Sequence, residues 1–300
     1  MSRRLTIFTR LSILIAIVDE VGELTFRAAA RLLDSLPPRM RSLFADVGAR
    51  LDFALSPGKR MRVRKNLRSI GSPADRSDVM SIFEHHASNM IEMFASSRWT
   101  PEEVSSRIES ADTSILDRAL EKGKGIILVT AHIGNWELAA QYLSHRGYTM
   151  HVVAGIQMNH LLTRAVKRAK EAQGIQVINP EDSYRKLFKA LSWNGIVALL
   201  LDGDIYRGGA EVEMFSRRMV MPRGAVRLSA KSGAPLIGGF CRRVGRERFR
   251  IHLEQILSAE ECRNASEEEM QKRLYSHIED YISRNSDQWC IFRDFTGEMQ

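Results

Sequence analysis

The sequence has few of the residues that disulfide-rich, disordered or fibrous proteins require. Its three cysteines, Cys241, Cys262 and Cys290, are an odd number at wide spacings, so they build neither a disulfide framework nor a CxxC metal knuckle. A reducing compartment fits this cysteine usage. Only 8 prolines and 20 glycines occur in 300 residues that are 44% hydrophobic, which excludes low-complexity chains. The composition is that of a folded protein with one large domain or two smaller ones.

Long hydrophobic runs are also absent, since none reaches the length of about 18 residues that a membrane-spanning helix needs. Residues 5–18 come closest, but Arg10 interrupts them. Basic residues precede this segment and acidic ones follow it, with no clear small-residue cleavage site for a signal peptide. The segment is either an amphipathic or shallowly inserted helix on a membrane surface or a helix packed on the domain's own core. We favour the membrane surface.

Acidic residues are outnumbered, 36 against 44 lysines and arginines, which gives a net charge of +8. Such a charge favours anionic partners: nucleic acid, phospholipid or an acidic carrier protein. The strongest basic runs are residues 59–65 and 242–250. Aromatic residues, at 7%, do not interleave with these runs as they would in many nucleic-acid readers. We therefore expect no nucleic-acid partner; anionic lipid head groups or ordinary solvated faces explain the charge.

The pattern of hydrophobic residues changes near Pro101. Residues 1–97 show helical spacing without a strand signal, whereas short apolar runs alternate with amphipathic ones afterwards. The expected strands are 126–130, 150–154, 175–178, 196–201 and 235–240, and the expected helices are 136–145, 161–173, 183–191 and 224–232. This alternation predicts an α/β fold with a mostly parallel central sheet flanked by helices, and a helical amino-terminal region. We divide the chain into a helical, membrane-associating region, 1–58, and a catalytic domain, 59–300.

The densest group of chemically useful residues runs from Thr130 to Glu137, where a buried strand should end and a helix begin. In open α/β sheets, ligands bind at the carboxyl edge of the strands. His132 should lie in the loop before the helix, because a regular helix would place it about 140° from Glu137. Glu137 could then hold one imidazole nitrogen while the other accepts a proton from an alcohol. The alternative is a loop histidine beside a first-turn charge that interacts with the helix dipole.

A second group, Asp202-Gly203-Asp204, directly follows the apolar strand 196–201. If that strand runs parallel to 126–130, these carboxylates emerge at the same sheet edge as His132. They could bind a metal, orient a base or hold a hydroxyl group. An Asp-Gly turn selected for its backbone conformation explains the same residues.

Signatures of other enzyme classes are missing. The sequence contains no GxSxG elbow, no GxxxxGK[ST] loop, no GxGxxG after a strand and no HExxH. His85 and His86 lack ligand spacing to other acids or thiols. We interpret this pair as surface residues and expect neither a metal nor a cofactor.

The string His132-Ile133-Gly134-Asn135-Trp136-Glu137 resembles the HxxxxD/E motif of the lysophospholipid acyltransferase superfamily, in the HxGNWE form of the lipid A biosynthesis (lauroyl/myristoyl) acyltransferase branch. Further resemblances follow in order. Residues 159–162 are similar to an NPLL segment, Asp202-Gly203-Asp204 to a DxD-like pair, and residues 287–293 to a closing PEQWxWxxRR segment. The resemblance extends from about Lys59 to Phe295.

The resemblance implies transfer of a fatty acyl chain from an acyl carrier protein or coenzyme A thioester to a hydroxyl of a membrane lipid. It implies no metal and no covalent acyl-enzyme. His132 corresponds to the general base and Glu137 to its orienting carboxylate, with Asp202 and Asp204 as candidates for positioning. The expected location is the cytoplasmic face of a bacterial inner membrane, with the protein peripheral or shallowly anchored.

The remaining site residues concern the substrates. Backbone amides of Gly134 and Asn135, at a helix start, could donate to an oxyanion. The family usually carries an arginine about ten residues after NPLL, where this chain has Lys170, with Arg168 nearby. Lysine does not reproduce the bidentate fork of arginine. The acceptor is therefore either a lipid A precursor or another glycolipid such as mannosylated phosphatidylinositol, and a non-catalytic binding module of the same fold is the alternative.

Overall fold

The computed structural model describes residues 24–153, 160–179, 183–203 and 208–295. The apolar segment 5–18 and the site candidate Asp204 lie outside these ranges. Within them, no helix is both long and apolar enough to cross a bilayer.

The amino-terminal region is helical, as its periodicity predicts. It comprises α1 (24–35), α2 (Pro38–Leu55), α3 (Pro57–Ser69) and α4 (Arg76–Ser96). Proline opens both α2 and α3, where its missing N–H costs nothing. Asp75 caps α4 by accepting from the first-turn amides, and Asp78 reaches back to the Asp75 N–H. Helix α2 shares a hydrophobic cluster with α3 and α4, while the division at residue 58 remains a prediction.

The rest of the described chain alternates strands and helices. The helices are α5 (Pro101–Arg107), α6 (Ser114–Leu120), α7 (Trp136–His145), α8 (His160–Ala172), α9 (Ser183–Ser192), α10 (Gly224–Ser232), α11 (Ala259–Asn264) and α12 (Glu267–Arg284). The strands are β1 (Ile108–Ala111), β2 (Ile126–Thr130), β3 (Met150–Val153), β4 (Gln176–Ile178), β5 (Ile196–Leu200), β6 (Ala210–Met214), β7 (Arg217–Met221), β8 (Leu236–Gly245) and β9 (Arg248–Leu257).

Seven of the described strands form one sheet in the order β1-β9-β8-β2-β5-β3-β4. All neighbours in it are parallel except the β8–β9 pair. Strand β2 lies at the centre and is buried throughout, as a parallel strand covered by helices on both faces should be. Ile127 and Val129 belong to one hydrophobic cluster, and Ile126 and Leu128 belong to another. The α/β fold with a mostly parallel sheet is thereby confirmed.

Strands β1, β6, β7 and β9 were not among the strands expected from the sequence. Strand β9 returns antiparallel beside β8 and brings β1 to the sheet edge, whereas β6 and β7 form a separate hairpin. The basic run 242–250 spans this β8–β9 turn. Within it, Arg248 and Arg250 approach Glu109, and Arg243 is buried in an ion pair with Glu92. Part of this basic run therefore stabilises the fold.

His85 and His86 are partly buried on α4, so the prediction that they are surface residues is wrong. The His86 ring packs against Phe292, with 4.7 Å between ring centroids. Burial, followed by the charge of Arg243, lowers the pKa of His85 to about 4. Burial, followed by the charge of Lys59, lowers the pKa of His86 to about 4 as well. Both imidazoles are consequently neutral in the folded protein at neutral pH.

These two histidines make stability depend on pH. Below about pH 6.5 the unfolded chain protonates them, but the folded protein keeps them neutral down to about pH 4. The free energy of unfolding should therefore fall as the pH is lowered through this window. Thermal melting between pH 7 and 4.5 should show a falling Tm, and His85→Gln/His86→Gln should flatten the slope.

The exposed His252 provides the matched control. His252→Gln should leave most of that slope in place, because it removes only a charge that acts on His277. A residual slope is expected in the double variant, because burial also lowers the pKa of His151 and of His277. An identical slope in the double variant and the wild type would contradict the assignment.

Candidate active site

Two adjacent strands end side by side at the carboxyl edge of the sheet. Thr130 at the end of β2 pairs with Leu200 at the end of β5, and the Leu201 N–H donates to the Thr130 carbonyl at 2.9 Å. His132 and Asp202 each follow two residues beyond these paired positions. The parallel register therefore brings them together across 70 residues of sequence, as expected for Asp202.

Asp202 binds His132 through both of its carboxylate oxygens. The Asp202 Oδ1 atom lies 2.7 Å from His132 Nδ1, and Oδ2 accepts the His132 backbone N–H at 2.8 Å. The Trp289 indole N–H also donates to Oδ2, at 2.9 Å, while Arg293 donates to the Asp202 carbonyl at 2.9 Å. The carboxylate thus fixes both the loop and the ring of His132.

Asp202 is 1% exposed, which makes its charge state depend on these partners. Burial is the largest influence and opposes ionisation, but the charge and hydrogen bonds of His132 and the Trp289 N–H together outweigh it. The pKa of the Asp202 carboxyl is therefore lowered, and the group is ionised at neutral pH. An ionised acceptor at Nδ1 holds the proton on that nitrogen.

The second imidazole nitrogen of His132, Nε2, makes no hydrogen bond with any residue in the described ranges. The His132 side chain is 26% exposed, so this nitrogen can be reached from outside. The Trp136 ring stands against the imidazole in a T-shaped contact, with 4.8 Å between centroids. The geometry leaves Nε2 with a free lone pair, which is what a general base needs.

Glu137 lies elsewhere than the sequence predicts. Its carboxylate pairs with Lys170 of α8, at 2.7 Å and 2.6 Å from Nζ to the two oxygens. Because Asp202 occupies Nδ1, the expected contact between Glu137 and His132 is not present. Arg168 is exposed and lies two residues before Lys170, about 200° around the helix. Lys170 therefore pairs with the motif residue Glu137, and Arg168 lies on another face of α8.

The backbone amides of Gly134 and Asn135 are not available to an oxyanion, contrary to expectation. The Gly134 N–H donates to the Gln288 carbonyl at 3.2 Å and the Asn135 N–H to the Cys241 carbonyl at 2.9 Å. Gly134 has a φ of 60°, and a Cβ there would overlap the Cys241 carbonyl oxygen. Glycine is thus required by close backbone packing, while the Asn135 side chain caps α7 by accepting the Leu138 N–H.

A buried polar network beneath this loop was not foreseen. The Asn89 amide donates to the Gly134 carbonyl at 2.5 Å, and the Asn135 amide donates to Glu92 at 2.7 Å. Arg243 of β8 donates to Glu92 at 2.6 Å and to Asn89 at 2.9 Å. Asn89 and Glu92 lie on α4 and Arg243 lies on β8, and no pattern in the sequence connected them with the motif residues Gly134 and Asn135. The network holds the loop that carries His132.

The two cysteine thiols near the site, those of Cys241 and Cys290, have low reactivity. Burial raises the pKa values of Cys241 and Cys290 to about 12, and Cys290 lies beside His132, to whose carbonyl its N–H donates at 2.8 Å. Both thiols are protonated at neutral pH and are poor nucleophiles. Across the ranges that the structure describes, no group of three or more His, Cys, Asp or Glu side chains could hold a metal ion.

An exposed base fixed at the carboxyl edge of an α/β sheet suits an enzyme that activates a hydroxyl group. The chain belongs to the bacterial lipid A biosynthesis acyltransferase family, whose sequence model matches residues 16–294, and it is an acyltransferase. It is 27% identical to a phosphatidylinositol mannoside acyltransferase of Mycolicibacterium smegmatis over 230 residues, which are 74% of this chain and 75% of the relative. A phosphatidylinositol mannoside acyltransferase of Mycobacterium tuberculosis is 33% identical over 135 residues, or 44% of this chain and 43% of the relative.

Replacing Arg243 by methionine should test the network. The change leaves Glu92 buried without its cation, so the free energy of unfolding should fall by about 3–5 kcal/mol. Arg242→Met is the matched control, because Arg242 is exposed and meets Asp287 only at 3.5 Å; its cost should stay below about 1 kcal/mol. Urea denaturation measures both values. Equal effects of the two substitutions would contradict a structural role for the pair.

Proposed function

We propose that this protein is an O-acyltransferase in which His132 removes the proton from a sugar hydroxyl of a membrane glycolipid and Asp202 supports the charge that results. The observation that carries this proposal is the pair of contacts from Asp202 to the ring and backbone of His132, at 2.7 and 2.8 Å. They hold the ring with Nε2 free. The donor is a fatty acyl thioester of an acyl carrier protein or coenzyme A.

In the proposed transfer, His132 acts first as a general base and then as a general acid. Nε2 of His132 accepts the hydroxyl proton while the acceptor oxygen attacks the thioester carbonyl carbon. The tetrahedral intermediate collapses, the carbon–sulfur bond breaks, and the imidazolium returns its proton to the thiolate. An ester and a free thiol are the products. Asp202 stabilises the imidazolium electrostatically without itself taking the proton.

Oxyanion stabilisation is assigned to the start of α7. The N–H groups of Trp136 and Glu137 donate to no partner within the described part of the chain, and both belong to the first turn of this helix. Free amides at a helix amino terminus favour negative charge. They follow His132 closely in the sequence and replace the amides of Gly134 and Asn135 in this role.

A small cavity of about 30 Å³ with a largely apolar lining lies beside α7. Its apolar lining comes from α1, α4, α8 and the residue before β4: Phe26, Met93, Val166, Ala169 and Ile175. The Glu137–Lys170 ion pair forms part of its wall. This volume admits about one water-sized group, so an acyl chain has to displace the lining side chains as it enters. We assign the fatty chain to this cavity and the reacting carbonyl to the side nearer His132.

The relatives favour a mannosylated phosphatidylinositol as the acceptor, since both carry that activity in their names. The family description favours a lipid A precursor as the second candidate. Both are glycolipids with free sugar hydroxyls, so the same base serves either. We place the reaction at the cytoplasmic face of a bacterial inner membrane, with the protein bound to the anionic surface.

Substitutions at three positions should separate the roles. His132→Ala and Asp202→Asn should each lower kcat by about 10²–10⁴-fold, because the first removes the base and the second removes its charge partner. Glu137→Gln should lower kcat by less than about 10-fold, since Glu137 contacts Lys170 and not the base. Radiolabelled acyl transfer from acyl-coenzyme A and from the acyl carrier protein, to each glycolipid in detergent micelles, measures these values.

Thermal melting of each variant controls for folding, and folded variants are compared. Full activity of His132→Ala would contradict the proposed function. A loss in Glu137→Gln as large as that in Asp202→Asn would instead assign the supporting carboxylate to Glu137. The acceptor with the higher kcat/KM in wild-type enzyme identifies the substrate class.

The cavity predicts chain-length selectivity. Ala169→Leu adds bulk inside the cavity, so the ratio of transfer rates for long against short acyl donors should fall by about 10-fold, the effect of roughly one to two lost methylene sites. Ala172→Leu on the same helix is the matched control, because Ala172 is exposed and should leave the ratio unchanged. An unchanged ratio in Ala169→Leu would place the acyl chain elsewhere.

A further inference from the structure

Helix α2 has two faces of very different character. The inward face buries Arg41, Ala45, Ala49 and Phe53. The outward face consists of large apolar side chains that are 40–79% exposed. We call this set the outer stripe: Met40, Leu43, Phe44, Val47, Leu51 and Leu55.

The outer stripe is continuous. At 100° per residue its members fall within an arc of about 120°, and the stripe is about 22 Å long. Soluble proteins rarely expose a contiguous apolar patch larger than a few hundred Å² unless it binds a partner. Large apolar side chains are also exposed on two other amino-terminal helices, Leu32 of α1 at 62% and Met61 of α3 at 67%.

Basic side chains border the stripe. Arg39 and Arg50 are exposed and lie along one edge of it, about 20–40° from Leu43. Asp46, also exposed, is the acid on the same edge. The chain as a whole carries a net charge of +8. An apolar face bordered by arginines complements an anionic lipid surface, in which the apolar side chains enter the interface and the cations meet head groups.

Helix α2, which carries the stripe, packs against the helix that supports the active-site loop. Phe53 of α2 packs against Phe83 of α4, with 5.3 Å between ring centroids. One turn further along α4 is His86, and the following turns carry Asn89 and Glu92, which hold the His132 loop. Helix α4 therefore contacts both α2 and the loop that carries His132.

We propose that the outer stripe of α2 is the surface with which this enzyme lies on an anionic phospholipid bilayer. This inference rests on the proposed function, because the acceptor there is a membrane lipid. A second copy fits the stripe less well in an antiparallel two-fold contact, since that contact would bring the arginine edges of two stripes together. The helix lies in the interface plane and does not cross the membrane.

A site-specific fluorophore tests the contact directly in the full-length protein. The three native cysteines are free and buried, so Phe44→Cys can be labelled selectively with an environment-sensitive dye. Vesicles of phosphatidylcholine and phosphatidylglycerol in equal parts should shift its emission to the blue, and brominated lipid should quench it. Trp193→Cys is the matched control: Trp193 is 69% exposed and directly precedes β5, at the opposite edge of the sheet. Its label should not respond.

Substitution should weaken binding in proportion to the apolar surface removed. Leu43→Ser/Leu51→Ser should lower partition into the same vesicles by about 100-fold, the effect expected for two buried leucines. Trp193→Ser/Val220→Ser removes exposed apolar side chains elsewhere and should leave partition unchanged. Transfer to an acceptor dissolved in detergent should be unaltered in both double variants.

Several outcomes would overturn the proposal. These are an unresponsive label at position 44, an unchanged partition of Leu43→Ser/Leu51→Ser, or emission that is already blue before vesicles are added, which would show that protein covers the stripe. Failure of the proposed function is seen separately, as the absence of transfer by the wild-type enzyme to either dissolved acceptor, whatever the vesicle result.

Discussion

The contact between Asp202 and His132 is the constraint on which the rest of the site depends. A buried carboxylate is costly unless its charge is paired and its lone pairs are satisfied. Here one oxygen accepts from the ring of His132 and the other accepts from the His132 backbone and the Trp289 indole. The same bonds that make the buried charge tolerable fix the position, orientation and tautomer of the His132 ring. Stability of the loop and orientation of the imidazole therefore have one physical source.

A buried ion pair, Glu92 with Arg243, also holds the loop that carries His132, independently of Asp202. Glu92 and Arg243 form a buried ion pair whose remaining hydrogen-bonding capacity goes to Asn135, and Asn89 takes the Gly134 carbonyl. Removal of water strengthens each of these bonds and raises the cost of leaving any one unmade. A helix of the amino-terminal region and a strand of the sheet thus meet at the loop that carries His132. The predicted division of the chain at residue 58 separates segments that share hydrophobic packing.

The two charged or titratable residues of the motif, His132 and Glu137, contact different partners, although their spacing predicts that they contact each other. His132 turns toward Asp202, whereas Glu137 turns toward Lys170 and the apolar cavity. The resemblance implies an arginine where this chain has Lys170. The lysine still gives Glu137 a cationic partner, but as a point charge and not as a bidentate guanidinium fork. The two ends of the motif therefore contact different elements, His132 the segment that follows β5 and Glu137 helix α8.

Local pattern in the sequence determined the elements and the edge at which chemistry occurs. Apolar runs identified β2 and β5, helical spacing identified α7 and α10, and their alternation predicted a parallel sheet with His132 and Asp202 at one edge. The sequence did not predict β9, because its pairing with β8 depends on long-range register. It did not predict the contact between Glu92 and Arg243 either, because no local pattern marks a buried ion pair. Tertiary structure alone decided which carboxylate holds His132: spacing made Glu137 the near neighbour, but the parallel register of β2 and β5 brings Asp202 within hydrogen-bonding distance.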